Sequence, residues 1–461
     1  MVALNDNPSS RSEKLPRLTK ILYGAGDIGF SLTDTTIGVL FLIFLTDVVG
    51  LAPKWAGVAI LIGRSWDYIN DPIMGYITDR THSRWGRRRP FILFGFIPFG
   101  IAFALMWWKP PLTSQLSLAI YYAIAYLLYD TMATIAYMPY FALTPELTLD
   151  YDERTSLTSY RMVFSIIGGL IAFTVPLAII GTMRPENAGR VLAVGIGLAI
   201  ISSFPLLLTF LGTRERPEFL SQPSSSLWEA ARAAIKNRPF IFAAGIFLFT
   251  WAAIEFIQAM LLFFLKYRMN LEKESDIVAG TVFIVALLTL PIWERVSRIW
   301  DKRKAYIAGM IFLSGVILIL ITVSPYWGLP IVLLLAGLAG IGVAAIHVLP
   351  WSMIPDAIEW DQLATGKRHE GMFYSLVTLL RKVSSSLTVP MLAFVLDWSG
   401  YIPNSSIQNP KTVMAIRILT GPVPAVLLCI GILFAIVYPL GRQAHADIRK
   451  KIAEREHLTN Y

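Results

Sequence analysis

The stretch whose reading decides the fold is RSWDYINDPIMGYITDRTHSRWGRRRP, residues 64–90. It sets Asp67, Asn70 and Asp71 in an otherwise apolar run and follows them with a knot of arginines. The surrounding composition excludes a soluble setting: of 461 residues, 55% are hydrophobic and 15% charged, against about a quarter charged in soluble domains. Mean hydropathy is +0.58. Apolar runs recur along the whole chain, each long enough to cross a hydrocarbon core about 30 Å thick as a helix. The chain therefore reads as an all-α polytopic membrane protein with no large soluble domain left over.

Working outward from this stretch, twelve spans are expected, at 20–47, 54–78, 89–108, 115–145, 157–182, 190–212, 239–266, 274–296, 304–323, 328–354, 370–398 and 413–440. An even number puts both termini on one side. Lys and Arg collect in the termini and in loops such as 79–89, 213–238 and 297–304, so the positive-inside rule assigns that side to the cytoplasm. The first run begins near Leu22 and lacks a small-residue cleavage pattern, which makes it a retained spanning helix. The single cysteine, Cys429, rules out an intramolecular disulfide and any cysteine-based metal site. The pI near 9.5 reflects topology and does not call for nucleic acid.

The longest polar connection, 213–238 with its RERPEFLSQPSSS, falls near the midpoint. It divides an N-terminal six-helix bundle, 20–212, from a C-terminal one, 239–440, with cytoplasmic tails at 1–19 and 441–461. The halves echo each other: SRWGRRRPFILFG from Ser83 follows span 2, and SRIWDKRKAYIAG from Ser297 follows span 8. Two related halves with a binding site between them at the midplane suit alternating access.

An ionisable group inside a span costs about 2.5 to 3.5 kcal/mol on insertion scales, so each needs a partner or a function. The interior set is Asp27, Asp34, Arg64, Asp67, Asp71, Asp130, Arg161, Glu255, Arg381 and Lys382. Asp67 and Asp71 are four residues apart, hence on one helix face about 6 Å from each other, with Asn70 beside them. Two such carboxylates repel unless a cation lies between them. A proton or sodium fits, sodium drawing further oxygens from Asn70 and a hydroxyl such as that of Thr134. Arg64, three residues before Asp67, is expected as a further counter-charge with Lys382; the structural alternative is a purely structural ion pair of Arg64 with Asp67.

Arg161 carries a planar guanidinium suited to sugar hydroxyls or an organic anion, or else snorkels to the surface. Arg381 and Lys382 point about 100° apart on a helix. One is expected to reach Asp67 and Asp71 as counter-charge while the other faces the cytoplasmic opening, Lys382 being the better counter-charge. His347 lines a cavity or is a hydrogen-bonded core residue. Asp356, Glu359 and Asp361 lie at a cytoplasmic end, solvated or pairing with Arg154 across the halves as a gate. Asp27 sits in YGAGDIG, where close glycines suggest helix contact. No role follows for Asp27, Asp130 or Glu255.

Five segments, LTKILYGAGDIG with the later FLTDVVGL, RSWDYINDPIMG with its arginine-rich loop, YMPYFALTPELTLDYDERTSL and EGMFYSLVTLLRK, together resemble the glycoside-pentoside-hexuronide:cation symporter family of the major facilitator superfamily. The likeness runs from Leu18 to Tyr438. The loop from Gly75 to Arg89, with Asp79, Arg80, Gly86 and three arginines, is similar to the superfamily's gating loop between spans 2 and 3. The resemblance implies twelve helices in two pseudo-symmetric bundles and a cation site at Asp67, Asp71, Asn70 and Thr134. It also implies Lys382 beside that site and a sugar contact at Arg161.

Departures from the family concern the cargo. The family's sugar-binding carboxylates in spans 1 and 4 are matched by Ser31 and Tyr137, and its tryptophans in spans 4 and 10 by Phe141 and His347. Asp34, one turn after Ser31, is a candidate replacement. The implied function is symport of a sugar or glycoside with sodium or a proton. The alternative is an amphiphile such as a lysophospholipid, since the broad resemblance extends to sodium-coupled carriers of that class. A membrane enzyme or receptor without transport would need a nucleophile and base cluster or a large extramembrane domain, and the sequence offers neither. No cofactor beyond the coupling ion is expected, and the chain is expected to be a monomer in the plasma (inner) membrane.

Overall fold

A computed structural model describes residues 14–148, 151–215, 234–365, 370–405, 407–444, 447, 448, 450, 451 and 454. Twelve helical rods, α1 to α12, match the twelve expected spans in order. Rod α1 runs Arg17–Thr36 and continues through π-helical turns at Ile37–Phe41 and Phe44–Val49. Rod α2 has two segments, Pro53–Ser65 and Asp67–Arg80. Then come α3 Arg89–Met106, α4 Gln115–Leu147, α5 Tyr151–Ile180 and α6 Ala188–Gly212. The second set is α7 Arg238–Phe264 with a π-turn at Leu265–Met269, α8 Ser275–Trp300, α9 Lys302–Leu320, α10 Gly328–Thr365, α11 Glu370–Trp398, and α12 in segments Pro410–Thr420 and Pro422–Val437. Most of the expected 213–238 linker, and most of the tails, lie outside the described residues.

Local sequence explains the starts and breaks. Rods α2, α3, α7 and both segments of α12 open with proline in the first turn, where its missing N–H would have had no helical partner anyway. Rod α1 ends at Gly50, whose φ of 84° is the left-handed closure that glycine adopts without strain. Among the described residues ten helices are long and apolar enough to cross a membrane. The two rods outside that set are α1 and α2. Their interiors hold Asp27, Asp34, Arg64, Asp67 and Asp71, and α2 is interrupted at Trp66, whose N–H bonds the Gly63 carbonyl only three residues back. Pro72, inside the second segment, removes another helical hydrogen bond. The expected continuous span 54–78 is thus a broken rod, and the break adjoins Asp67.

Helix pairing repeats between the halves. Rod α1 packs on α5 and α6, α4 on α2 and α3, and α3 on α6; likewise α7 packs on α11 and α12, α10 on α8 and α9, and α9 on α12. The two sets meet through α2 against α11 and through α5 against α8, which the same exchange of halves relates. Small residues allow the closest approaches: a Cβ at Gly29 would lie 2.0 Å from the Ser202 carbonyl oxygen of α6, and one at Gly168 2.5 Å from that of Ile28. The glycines of YGAGDIG therefore serve helix contact, as expected.

The arginine knot is an internal brace. Arg87 and Arg88 donate to Glu146 at the end of α4, at 2.6 and 3.3 Å, and Arg88 also donates to Thr78 at 2.8 Å. Glu215, just beyond α6, accepts the backbone N–H groups of Arg87, Arg88 and Arg89 at 2.5 to 2.8 Å. A carboxylate there satisfies the unpaired donors at the start of α3 and complements its dipole.

Candidate cation and cargo site

The broken α2 brings Asp67 and Asp71 against α11. The Lys382 ammonium lies 2.8 Å from Asp67 Oδ1 and 2.6 Å from Asp71 Oδ2, so one cation bridges both carboxylates. Thr134 of α4 donates to the other Asp71 oxygen at 3.3 Å, and Asn70, buried, donates to the Asp130 carbonyl at 3.4 Å. Asp130 is buried, its side chain beside Asp67, and its Oδ2 makes no hydrogen bond. Among the described residues no three His, Cys, Asp or Glu side chains form a multivalent metal cluster. Two carboxylates with amide and hydroxyl neighbours suit a monovalent ion, and the ammonium occupies the point where that ion would sit.

Arg64 goes elsewhere than expected. Its Nε donates to Tyr126 at 2.9 Å, and its Nη1 reaches Glu255 of α7 at 3.4 Å and the Ser385 carbonyl of α11 at 2.9 Å. It is neither the partner of Asp67 nor part of the Lys382 counter-charge, because it lies before the break at Trp66 while Asp67 opens the next segment. Ser385 also donates to Glu255 at 3.1 Å. Arg381, expected at the cytoplasmic opening, instead pairs with Asp34 of α1 at 2.7 Å and lies over the Trp251 ring at 4.5 Å. Asp34, a candidate cargo ligand, is thus engaged in an ion pair across the halves.

Arg161 lies in a second charged cluster, within the first half. It is 3.6 Å from Asp27, donates to Thr144 at 3.4 Å and lies over the rings of Tyr140 and Phe141, while its Nε makes no hydrogen bond. Phe141 is half-buried beside it, and Ser31 faces Gly169 of α5. Tyr137 departs from its expected cargo role: it is buried, packs edge-on against Phe30 and Phe99, and its hydroxyl donates to the Ser202 carbonyl at 3.3 Å. It faces the helix core because α4 turns that side toward α6. His347 is exposed, its Nδ1 hydrogen-bonded to the Val343 carbonyl at 2.9 Å and its ring edge-on to Trp251.

The expected gate residues scatter. Asp356 is held by Lys302 of its own half at 2.6 Å, and Glu359 lies three residues further along α10. Arg80 hydrogen-bonds and stacks on its helix neighbour Tyr76, so it is an exposed surface contact. The side chains of Asp79 and Arg154 lie outside the described residues.

Sequence reading missed Asp47. At the end of the rods opposite the N-terminus, this fully buried carboxylate accepts from Lys266 at 2.7 Å and from the hydroxyls of Tyr267 and Tyr401. Lys266 also bonds the Met183 carbonyl and Asn404, each at 2.8 Å, and Asn404 donates to the Asp47 carbonyl at 2.6 Å. This polar seal ties α1 and the α5–α6 loop to α7 and the α11–α12 loop. The signal available was an aspartate at the last position of an apolar span, in FLTDVVGL.

Residues 22–442 match the family model described as MFS/sugar transport protein. An uncharacterized symporter of Synechocystis sp. is 34% identical, over 97% of this chain and 98% of that one. Sodium-dependent lysophosphatidylcholine symporter 1 of Xenopus tropicalis is 27% identical, over 96% and 91%. In fold, the chain is similar to the D-xylose-proton symporter (TM-score 0.63, 16% identity, covering 92% of this chain and 97% of that one) and to the nucleoside transporter NupG (TM-score 0.60, 14% identity, 92% and 98%). The chain therefore belongs to the MFS/sugar transport family and is an integral membrane protein with the major facilitator fold.

Proposed function

We propose that this protein is a secondary active symporter of the glycoside-pentoside-hexuronide:cation type. Sodium, with a proton as the alternative, binds at Asp67 and Asp71 with Asn70 and Thr134, displacing Lys382, and drives cargo across by alternating access. The observation that carries this reading is the Lys382 ammonium bridging two intramembrane carboxylates on a broken helix. A charge pair of that kind is tolerated at midplane depth where an ion comes and goes. The symporter names of the relatives agree with it. The six-helix division at 213–238, cytoplasmic termini, a plasma-membrane location and a monomeric state are part of the same proposal, as is a carrier rather than an enzyme.

The cargo is proposed to occupy the space between the halves bounded by Arg161, Phe141, Asp34 and His347. A sugar or glycoside is supported by the family description. An amphiphile is supported by a second observation: an apolar groove of about 390 Å³ at the seam of α2 and α11, lined by Leu61, Leu387, Pro390, Met391, Phe394 and Trp398. Its lining is apolar and largely exposed, open to a chain entering from the lipid side. A thermal-stabilisation screen of the purified protein, with and without sodium, across sugars, glycosides and lysophospholipids separates them, since a true ligand raises apparent stability by mass action. Stabilisation by sugars alone excludes the amphiphile, stabilisation by lysophospholipids alone excludes the sugar, and no ligand in either class whose effect depends on sodium or on pH rejects the proposal.

A further inference from the structure

Four intramembrane charges beside the cation site form a neutral square that crosses the two halves twice. Asp34 of α1 pairs with Arg381 of α11, and Glu255 of α7 pairs with Arg64 of α2. The two acids are each the eighteenth residue of their helix, at matching places in the two related halves, and each is tied to a cation of the opposite half. Across the square, Asp34 also acts on Arg64, and Arg381 on Glu255.

The two pairs are unequal. Arg64 and Glu255 are 9% and 11% exposed and are fastened by Tyr126 and by both the carbonyl and hydroxyl of Ser385. Asp34 and Arg381 are 43% and 27% exposed, and exposed His347 packs against the same Trp251 ring that Arg381 covers. One pair is a fixed strut, and the other is open to anything that enters the space between the halves. The open pair is also covalently next to the cation site, because Arg381 precedes Lys382.

We propose that the Asp34–Arg381 pair is an electrostatic latch that couples the cargo space to the Asp67 and Asp71 cation site. This rests on the symport reading above. With the latch closed, the two charges cancel and the cation site feels neither. A cargo group that captures the Arg381 guanidinium and neutralises its charge, a phosphate or carboxylate, uncovers the Asp34 carboxylate. The added negative charge in a low-dielectric interior strengthens binding of a cation close by. By linkage the cation then strengthens binding of the cargo by the same factor. In this scheme Arg381 binds the cargo, while Asp34 is a positioning residue that acts on the ion only through its charge.

The latch makes a prediction of opposite signs that needs no cargo. Arg381→Gln uncovers Asp34, as captured cargo would, and sodium should bind more tightly, by roughly fivefold or more, the lower range of coupling between sites. Asp34→Asn uncovers Arg381 instead, and sodium should bind more weakly by a similar factor. The double variant Asp34→Asn with Arg381→Gln removes both charges and should return close to the wild-type affinity. The measurement is sodium titration of the purified full-length chain, with chloride held constant by potassium, read by thermal shift and by tryptophan fluorescence.

A merely structural pair would move sodium affinity in the same direction in both single variants, since each leaves one charge unpaired. That result, or single variants indistinguishable from wild type in sodium affinity, overturns the latch. Should the wild type itself show no sodium response, and no proton competition on titrating pH, the symport reading fails and the latch with it. A normal wild-type response with same-sign variants fails the latch alone.

Discussion

Replacing Lys382 with methionine tests the cation site by removing the ion's internal competitor. Methionine keeps much of the length and flexibility of the stem and deletes the charge that bridges Asp67 and Asp71 at 2.8 and 2.6 Å. The lysine is 28% exposed, and the carboxylates are 18% and 34% exposed, so the interaction lies between two limits. Fully exposed pairs contribute about 0 to 1 kcal/mol, while truncating one partner of a fully buried pair costs about 3 to 5 kcal/mol. An intermediate value of about 2 kcal/mol is appropriate here. In the wild type, sodium must give up that amount to displace the ammonium. Lys382→Met should therefore bind sodium about thirtyfold more tightly, and in sodium-free buffer it should unfold at a lower temperature because the two carboxylates repel. Protons compete for the same oxygens, so the gain should grow as pH rises. The assay is thermal unfolding against sodium concentration at fixed ionic strength. Sodium affinity equal to or weaker than that of wild type would refute the displacement of Lys382 by the ion.

Other outcomes concern the supports of the site. Glu215→Gln weakens the acceptor for three backbone N–H groups at the start of α3 and should lower stability by about 1 to 2 kcal/mol; a reduced melting temperature with unchanged sodium affinity checks it. Lys266→Met removes the hub of the Asp47 seal and should favour opening of that end. The readout is faster thiol labelling of a cysteine placed at buried Ile43, with the exposed native Cys429 replaced by serine.

Much of the architecture was legible because bilayer thickness demands long apolar runs, and these survive any error in their ends. The helix spacing of Asp67 and Asp71 was legible for the same kind of reason, being local. What failed was non-local or depended on helix rotation. Arg64 stands three residues before Asp67, which on an unbroken helix makes them neighbours; the break at Trp66 sends the guanidinium to Glu255, 191 residues away. Tyr137 matches a cargo position by motif, yet packing against Phe30, Phe99 and Ser202 turns it into the core. Arg381 and Lys382 were separable by their 100° offset, but only the tertiary structure, with Lys382 turned to α2 and Arg381 to α1, assigns them to different acids. The Asp47 seal was hidden because its partners, Lys266, Tyr401 and Asn404, come from distant segments.

The central claim is that Asp67 and Asp71 bind the ion that drives cargo uptake. Its most direct measurement is accumulation of the sugar, glycoside and lysophospholipid panel in proteoliposomes under an imposed inward sodium gradient, with wild type and Asp71→Asn in parallel. The wild type should concentrate a cargo only while the gradient lasts, and Asp71→Asn should not concentrate it at all. Sodium-dependent accumulation in Asp71→Asn at the wild-type level would contradict the claim.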